Sequence, residues 1–111
     1  MATKTYKVLA QNAPSATSNT DIYTVGAGVQ TIVSTITVCN RSTSATTYRI
    51  AIRPNAETLA NKHYIAYDVA LAANDTTAIT IGATLDASDV ITVYAATADT
   101  SFNIFGSEIT A

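Results

Sequence analysis

The final third of the chain alternates apolar and polar residues in short runs, and turn residues bound each run. Residues 76–82, 90–97 and 101–110 have this pattern, and Asp, Ser and Asn occupy the gaps between them. Alternation with a period of two is typical of β-strands with one buried face, whereas Asp, Asn and Ser favour turns. We therefore expect three β-strands joined by short turns in this region.

The preceding two thirds of the chain have the same organisation. A polar loop is expected at 12–20, and Pro54 ends a strand because proline cannot donate a backbone hydrogen bond. Residues 55–61 are predicted to form a short helical turn, with Asn55 as its N-cap. The five further strands are predicted at 6–11, 21–25, 29–40, 46–53 and 62–71. About eight strands without a βαβ pattern predict an all-β, antiparallel β-sandwich or jelly roll.

Alternation along the longest strands predicts which side chains share a face. In the strand at 29–40, one face is predicted to carry Ile32, Ser34, Ile36 and Val38, and the other Thr31, Val33, Thr35 and Thr37. In the strand at 46–53, Arg49 and Arg53 are expected on one face and Tyr48 on the other.

Length and charge limit the class of protein. The 111 residues predict a single domain, 1–111, with residues 1–20 as a candidate extended N-terminal arm. Charged residues make up 13% of the chain, against the usual ~25%, so other chains are expected to cover part of the surface. The net charge of −2 argues against a nucleic-acid partner, and no apolar run is long enough for a membrane span. The polar start, 1–5, and the single Cys39 favour a reducing cytoplasm.

Two residues have side chains that catalyse reactions in other proteins. His63 is the only histidine, and a small hydrolase that uses it is the one enzymatic hypothesis. However, the sequence lacks the Gly-x-Ser-x-Gly elbow that exposes a nucleophilic serine. Cys39 has no second cysteine with which to bind zinc, and it fits a small buried apolar residue. We predict no catalytic residue and no cofactor.

The acidic residues favour turns over metal binding. Asp86, Ser88 and Asp89 are close enough in sequence to suggest a calcium loop. They lack the alternating Asp pattern and the distal Glu of such loops. Asp commonly hydrogen-bonds to backbone groups in turns, so we interpret these residues as a turn and predict no metal site.

Arginine and tyrosine supply the candidate interface residues. Arg41, Arg49 and Arg53, with Tyr48, form a basic and aromatic cluster in the sequence, which fits either a subunit contact or a solvated face. The six tyrosines fit either a binding platform or half-buried sheet residues with hydrated hydroxyls. The interface residues that we predict are Arg41, Arg49, Arg53 and Tyr6.

Three segments of the chain resemble a small protein family encoded by tailed bacteriophages. The first is Val38–Arg41 followed by Tyr48–Pro54, and the second is Asn61–Ile65 with Tyr67 and Asp68. The third comprises 85–89, 93–95 and 105–109. The resemblance extends from about Val29 to Ile109 and is carried by strand and turn patterns, and residues 1–28 match less clearly.

This resemblance implies a non-enzymatic virion structural protein that is assembled in the host cytoplasm. The main hypothesis is a capsid decoration protein whose partners are copies of itself and other virion proteins, such as major capsid or tail proteins. A tail, baseplate or fibre component is one alternative. Another is a module that binds a carbohydrate or host surface through the loops at 41–45 and 55–61.

Overall fold

A computed structural model describes residues 2–110 as two four-stranded antiparallel sheets packed face to face. The strands are β1 (Thr3–Asn12), β2 (Thr20–Thr24), β3 (Val29–Asn40), β4 (Thr46–Arg53), β5 (Tyr64–Leu71), β6 (Thr76–Leu85), β7 (Val90–Ala95) and β8 (Thr100–Thr110). The first sheet has the order β1-β8-β3-β6, and the second has the order β2-β7-β4-β5. The predicted all-β antiparallel sandwich is confirmed, and this strand order is that of a jelly roll. The predicted domain also includes Met1 and Ala111, which lie outside the described residues.

The core lies between the two sheets and is built from alternate residues of the central strands. The first sheet contributes Phe102 and Ile104 from β8, and the second contributes Tyr48 from β4. The Tyr48 ring meets the Phe102 ring edge to face, with 6.4 Å between centroids. Burying an apolar side chain of this size contributes about 1.5–3 kcal/mol, so these central strands hold the sandwich together.

A β-bulge at Ser34 changes which side chains of β3 point into the core. Val33 pairs with Gly106 and Thr35 with Phe105, so Ser34 is an extra residue in β3 opposite β8. The predicted face of Ile32, Ser34, Ile36 and Val38 is therefore wrong: Val33, Ile36 and Val38 are buried, whereas Ile32 is exposed. A bulge shifts the alternation by one residue, which a strict period of two cannot represent.

The N-terminal stretch contributes a strand to the protein's own first sheet. Residues Thr3–Asn12 form β1, which pairs antiparallel with β8 from Thr3 opposite Thr110 to Asn12 opposite Phe102. The region expected to be an extended arm is thus an edge strand over this range, followed by a connection to β2 at Thr20.

The segment after β4 differs from the predicted helical turn. β4 ends at Arg53, immediately before Pro54 as predicted, but two separate 3₁₀ turns follow, at Pro54–Ala56 and Asn61–His63. Asn55 is not an N-cap; it lies inside the first turn with φ +53°. Its backbone N–H donates to the Asp89 carboxylate at 2.8 Å, and this tertiary bond favours a conformation that the local sequence does not specify.

Strand bounds otherwise differ by a few residues from those predicted. The largest difference is in β6, which continues to Leu85 because Gly82, with φ +57°, bends the strand without ending it. Within residues 2–110, no helix is long and apolar enough to span a membrane.

Candidate functional site

The structure separates the four predicted interface residues. Arg49 and Arg53 share the outer face of the second sheet, as predicted, and Tyr48 lies on the opposite face in the core. Arg41 lies in the β3–β4 loop, where it donates to the Ser101 hydroxyl and to a backbone carbonyl of the β7–β8 turn. Tyr6 lies on β1 of the other sheet. The predicted basic and aromatic cluster is therefore not one site.

Arg49 lies between two tyrosine rings on the outer face of the second sheet. Its guanidinium carbon is 4.2 Å from the Tyr67 ring centroid and 4.3 Å from that of Tyr94. It also donates to both carboxylate oxygens of Asp68, at 2.6 and 3.3 Å. The hydrogen bond from Arg49 to Asp68 is the largest cause of a raised Arg49 pKa, so the side chain remains a cation. Stacking on both faces and a forked ion pair fix this arginine in one position.

Arg53 ties together three parts of the second sheet. Its Nη1 donates to the Asp21 carboxylate at 2.8 Å and to the Thr92 hydroxyl at 3.2 Å, and its Nε donates to the Glu57 carbonyl at 2.9 Å. These contacts join β2, β7 and the segment after β4. These contacts fix the position of the Arg53 side chain, and its role as an interface residue stays a prediction.

A second aromatic contact adjoins Arg49. The rings of Tyr64 and Tyr67 are nearly perpendicular, at 84°, with 4.8 Å between their centroids. With Asn61 they line a hollow of about 360 Å³. Tyr67 is 55% exposed, whereas Tyr23, Tyr64 and Tyr94 are partly buried, as we expected of most tyrosines. We name Asn61, Tyr64 and Tyr67 the Tyr64–Tyr67 corner.

The outer face of the first sheet carries a row of exposed apolar side chains. Tyr6 and Ile32 both pair with Ser107 of the central strand β8, so all three lie side by side. In the next row, Val8 pairs with Phe105. Tyr6 is 78% exposed, Val8 47% and Ile32 37%. Tyr6, Val8, Ile32 and Phe105 are called the apolar face below.

Charge is scarce on the first sheet. Strands β3 and β6 contain no charged residue. The one charged residue of β8, Glu108, bonds to Tyr23 of the second sheet, and thus points between the sheets. Exposed contiguous apolar surface without charge is typical of contacts with other molecules. The sequence predicted Tyr6 as an interface residue, which stays a prediction, and did not single out Ile32, because the bulge at Ser34 turns that side chain outward.

A polar cluster closes one end of the sandwich. The Tyr23 hydroxyl donates to Glu108 at 2.5 Å and accepts from the Thr31 hydroxyl at 2.8 Å, while Lys7 donates to the other Glu108 oxygen at 3.0 Å. Burial and the Glu108 hydrogen bond raise the pKa of Tyr23 from 10.0 to about 12. The hydrogen bonds from Tyr23 and Lys7 lower the pKa of Glu108.

His63 is buried, and both of its ring nitrogens have partners nearby in the sequence. Nδ1 accepts from the Ala60 backbone N–H at 3.0 Å, and Nε2 lies 3.1 Å from a Glu57 carboxylate oxygen. Because Nδ1 accepts, the neutral ring carries its proton on Nε2 and donates it to Glu57. His63 thus fixes the conformation of the 57–63 segment.

The turn at 86–89 uses its carboxylates on backbone groups. Asp89 accepts from the backbone N–H groups of Asn55 and Asp86, and the Asp86 carboxylate accepts from the Ala87 N–H. This is the turn chemistry predicted for these residues. Residues 2–110 contain no group of three or more His, Cys, Asp or Glu side chains arranged to hold a metal ion. Cys39 is only partly buried, whereas a small buried apolar residue was expected.

The chain matches no protein-family model, no curated protein and no solved structure. The resemblance to a bacteriophage family therefore stays a prediction, and the functional argument depends on the two outer sheet faces.

Proposed function

We propose that the protein is a structural subunit of a tailed-bacteriophage virion, and that it serves as a capsid decoration protein. The apolar face of the first sheet carries this proposal. It is a set of exposed apolar side chains fixed on paired strands, with no charged residue on β3 or β6. A partner that covers this face removes apolar surface from water, which contributes roughly 25 cal/mol per Å² before the costs of association.

A second copy of the chain is the occupant that this face fits best. The four side chains of the apolar face carry no charge, so two copies of them meet without repulsion between like charges. Lys4, two residues before Tyr6, lies on the same side of β1 and at the edge of this contact. The sandwich measures 49 × 27 × 20 Å, and two stacked sheets account for the shortest dimension. Its broad faces therefore exceed the ~800 Å² per partner that a stable interface typically buries.

Two further arguments support a virion location. The resemblance of 29–109 to a phage family implies a virion component. Jelly rolls also occur in viral capsid domains, although they occur in lectins and cupins as well, so this second argument is an analogy of fold.

The test is the presence of the chain on virus particles. Particles of the phage that encodes the chain are purified with and without its gene, and purified protein is added back to the deficient particles. The proposal predicts that the protein sediments with wild-type particles and with the deficient heads after add-back. Recovery on tails but not on heads would favour the tail or fibre alternative. Recovery only in the unsedimented fraction would contradict a virion role.

A further inference from the structure

The Tyr64–Tyr67 corner has the geometry of a small binding site. The perpendicular rings of Tyr64 and Tyr67 form two walls, and Asn61, exposed at the start of a 3₁₀ turn, forms a third. The hollow of about 360 Å³ is open to solvent and similar in volume to four other surface hollows of 340–400 Å³, so the side chains that line it, and not its size, distinguish it. The apolar face lies on the other sheet, so this site is independent of the proposed self-contact.

Contacts within the chain hold the side chains of this site in place without a ligand. The Tyr67 ring is held by the Arg49 guanidinium, and Arg49 is held by Asp68 and by the Tyr94 ring. A side chain that is already ordered loses less entropy on binding, so a weak ligand gains affinity from this arrangement.

Asn61 is also positioned by a buried group. The 3₁₀ turn Asn61–His63 follows Ala60, whose backbone N–H donates to Nδ1 of His63, and the His63 side chain is 3% exposed. This bond gives the sole histidine of the chain a role in placing the third wall.

The charges beside the corner are already paired. Asp68 neutralises Arg49, and the Lys62 ammonium lies 3.6 Å from the Glu57 carboxylate. The corner therefore offers a ligand two aromatic rings, an amide and two phenol hydroxyls, and no unpaired charge. This combination fits an uncharged molecule with one apolar face and several hydroxyl groups.

A pyranose sugar has this chemistry. Its axial C–H groups form an apolar face that packs on a tyrosine ring, and its hydroxyls exchange hydrogen bonds with an amide. A proline-rich peptide also packs on tyrosines, but it needs a groove along several residues, and this hollow is lined by three. We propose that Asn61, Tyr64 and Tyr67 form a binding site for one uncharged pyranose unit of a glycan.

Amide chemical-shift changes in a ¹⁵N-labelled sample test the proposal. The probes are the methyl pyranosides of glucose, galactose, mannose, N-acetylglucosamine and rhamnose, each titrated to tens of millimolar, with a decaproline peptide in parallel. We expect at least one sugar to shift the amides of Asn61, Tyr64 and Tyr67 in a saturable manner. If no sugar shifts them, or if only decaproline does, the sugar site is refuted.

Three variants separate stacking from general effects. Tyr67→Ala is expected to weaken the sugar that binds at least tenfold, because the stacking wall is lost. Tyr67→Phe keeps the ring and is expected to retain most of the affinity. Ile81→Ala, which removes an exposed apolar side chain from the other sheet, is expected to bind as wild type. Equal binding by Tyr67→Ala and wild type would overturn the assignment, whatever the outcome of the particle experiment.

Discussion

At Gly106 the backbone of β8 leaves no room for a side chain beside the backbone of β3. A Cβ atom added there would lie 2.0 Å from the Ile32 carbonyl oxygen and 3.1 Å from the Leu9 side chain. The first contact is with backbone and cannot be relieved by a side-chain rotation. The bulge at Ser34 brings these strands together, so the glycine and the bulge belong to the same local structure.

Gly106→Ala is therefore expected to destabilise the fold by about 1–3 kcal/mol, the usual cost of overpacking. Urea unfolding of the two proteins measures this difference. Gly26→Ala is the matched control, because its added Cβ would meet Val29 at an ordinary 3.7 Å. Equal stabilities for the two alanine variants would show that the β3–β8 contact is looser than described.

The Tyr23–Glu108 pair predicts two limits to stability with pH. The pKa of Glu108 is lowered from 4.5, so its stabilising contribution is complete above pH 4.5 and is lost as the pH falls below it. The pKa of Tyr23 is raised from 10.0 to about 12, so its contribution is complete below pH 10 and is lost as the pH rises toward 12.

Unfolding free energies measured across this pH range test both limits. Tyr23→Phe is expected to remove the part of the alkaline loss that Tyr23 contributes, while Tyr48, whose pKa is raised by burial, keeps its own part. The same variant is expected to reduce the acid loss, because Glu108 then lacks its main hydrogen-bond donor. Glu108→Gln is expected to remove its part of the acid loss. A Tyr23→Phe variant with the wild-type pH profile would contradict the assigned hydrogen bond.

Sequence reasoning about single residues was correct where one regular strand determines the face on which a side chain lies. Alternation placed Arg49 and Arg53 opposite Tyr48 correctly because β4 is regular there. It misplaced Ile32, since the bulge at Ser34 depends on how β3 pairs with two neighbours. It also missed the pairing of Arg49 with Tyr67, because the two residues lie on different strands and their contact depends on register.

At the scale of elements, Asn40 joins two turns at one end of the sandwich. Its side-chain amide is buried and donates to the carbonyls of Ser44 and Ala72, at 2.8 and 3.1 Å. Its oxygen accepts from the Ser42 backbone N–H at 3.0 Å. Together with the backbone hydrogen bond from Asn74 to the Ser42 carbonyl at 2.9 Å, this side chain ties the β3–β4 loop, which crosses between the sheets, to the β5–β6 turn.

Asn40→Ala is expected to cost about 1–3 kcal/mol, because the carbonyls lose their donor. Amide hydrogen exchange at residues 42–45 and 72–75 should accelerate together, since one side chain holds both turns. Asn12→Ala, at the exposed end of β1, is the control and should leave both turns unchanged. Faster exchange in one turn alone would contradict the coupling.

The connection between β4 and β5 shows why some elements escape prediction. Its helical character was expected at 55–61, but the 3₁₀ turns lie at Pro54–Ala56 and Asn61–His63. One tertiary and one local hydrogen bond determine this outcome: Asp89 binds the Asn55 N–H, and the neighbouring Arg53 binds the Glu57 carbonyl. The contribution of Asp89 is not visible in a local reading of the segment.

At the scale of the whole molecule, the sandwich was predictable because the strand pattern repeats along the entire chain. Eight alternating runs separated by turn residues leave few other ways to bury one face of each strand. The order of strands within the sheets was not predictable in this way, because it depends on pairings between β1 and β8 that span the chain. The two candidate surfaces, one on each sheet, follow from that order.

The two surfaces have different proposed roles. The apolar face is proposed to join copies of the chain, which leaves the Tyr64–Tyr67 corner of the other sheet accessible on the assembled particle. Repeated weak sugar sites on one assembly gain avidity without new contacts, so even millimolar binding by one copy would be sufficient for attachment.

The most direct measurement of the central claim is the mass of the protein in solution by light scattering across a concentration series. Wild type is expected to form a discrete oligomer. Ile32→Glu places a charge within the apolar face and is expected to be a folded monomer. Ile65→Glu adds the same charge at an exposed isoleucine of the other sheet, and should keep the wild-type mass. A wild-type monomer at every concentration, or an Ile32→Glu oligomer of unchanged mass, would contradict self-association through this face.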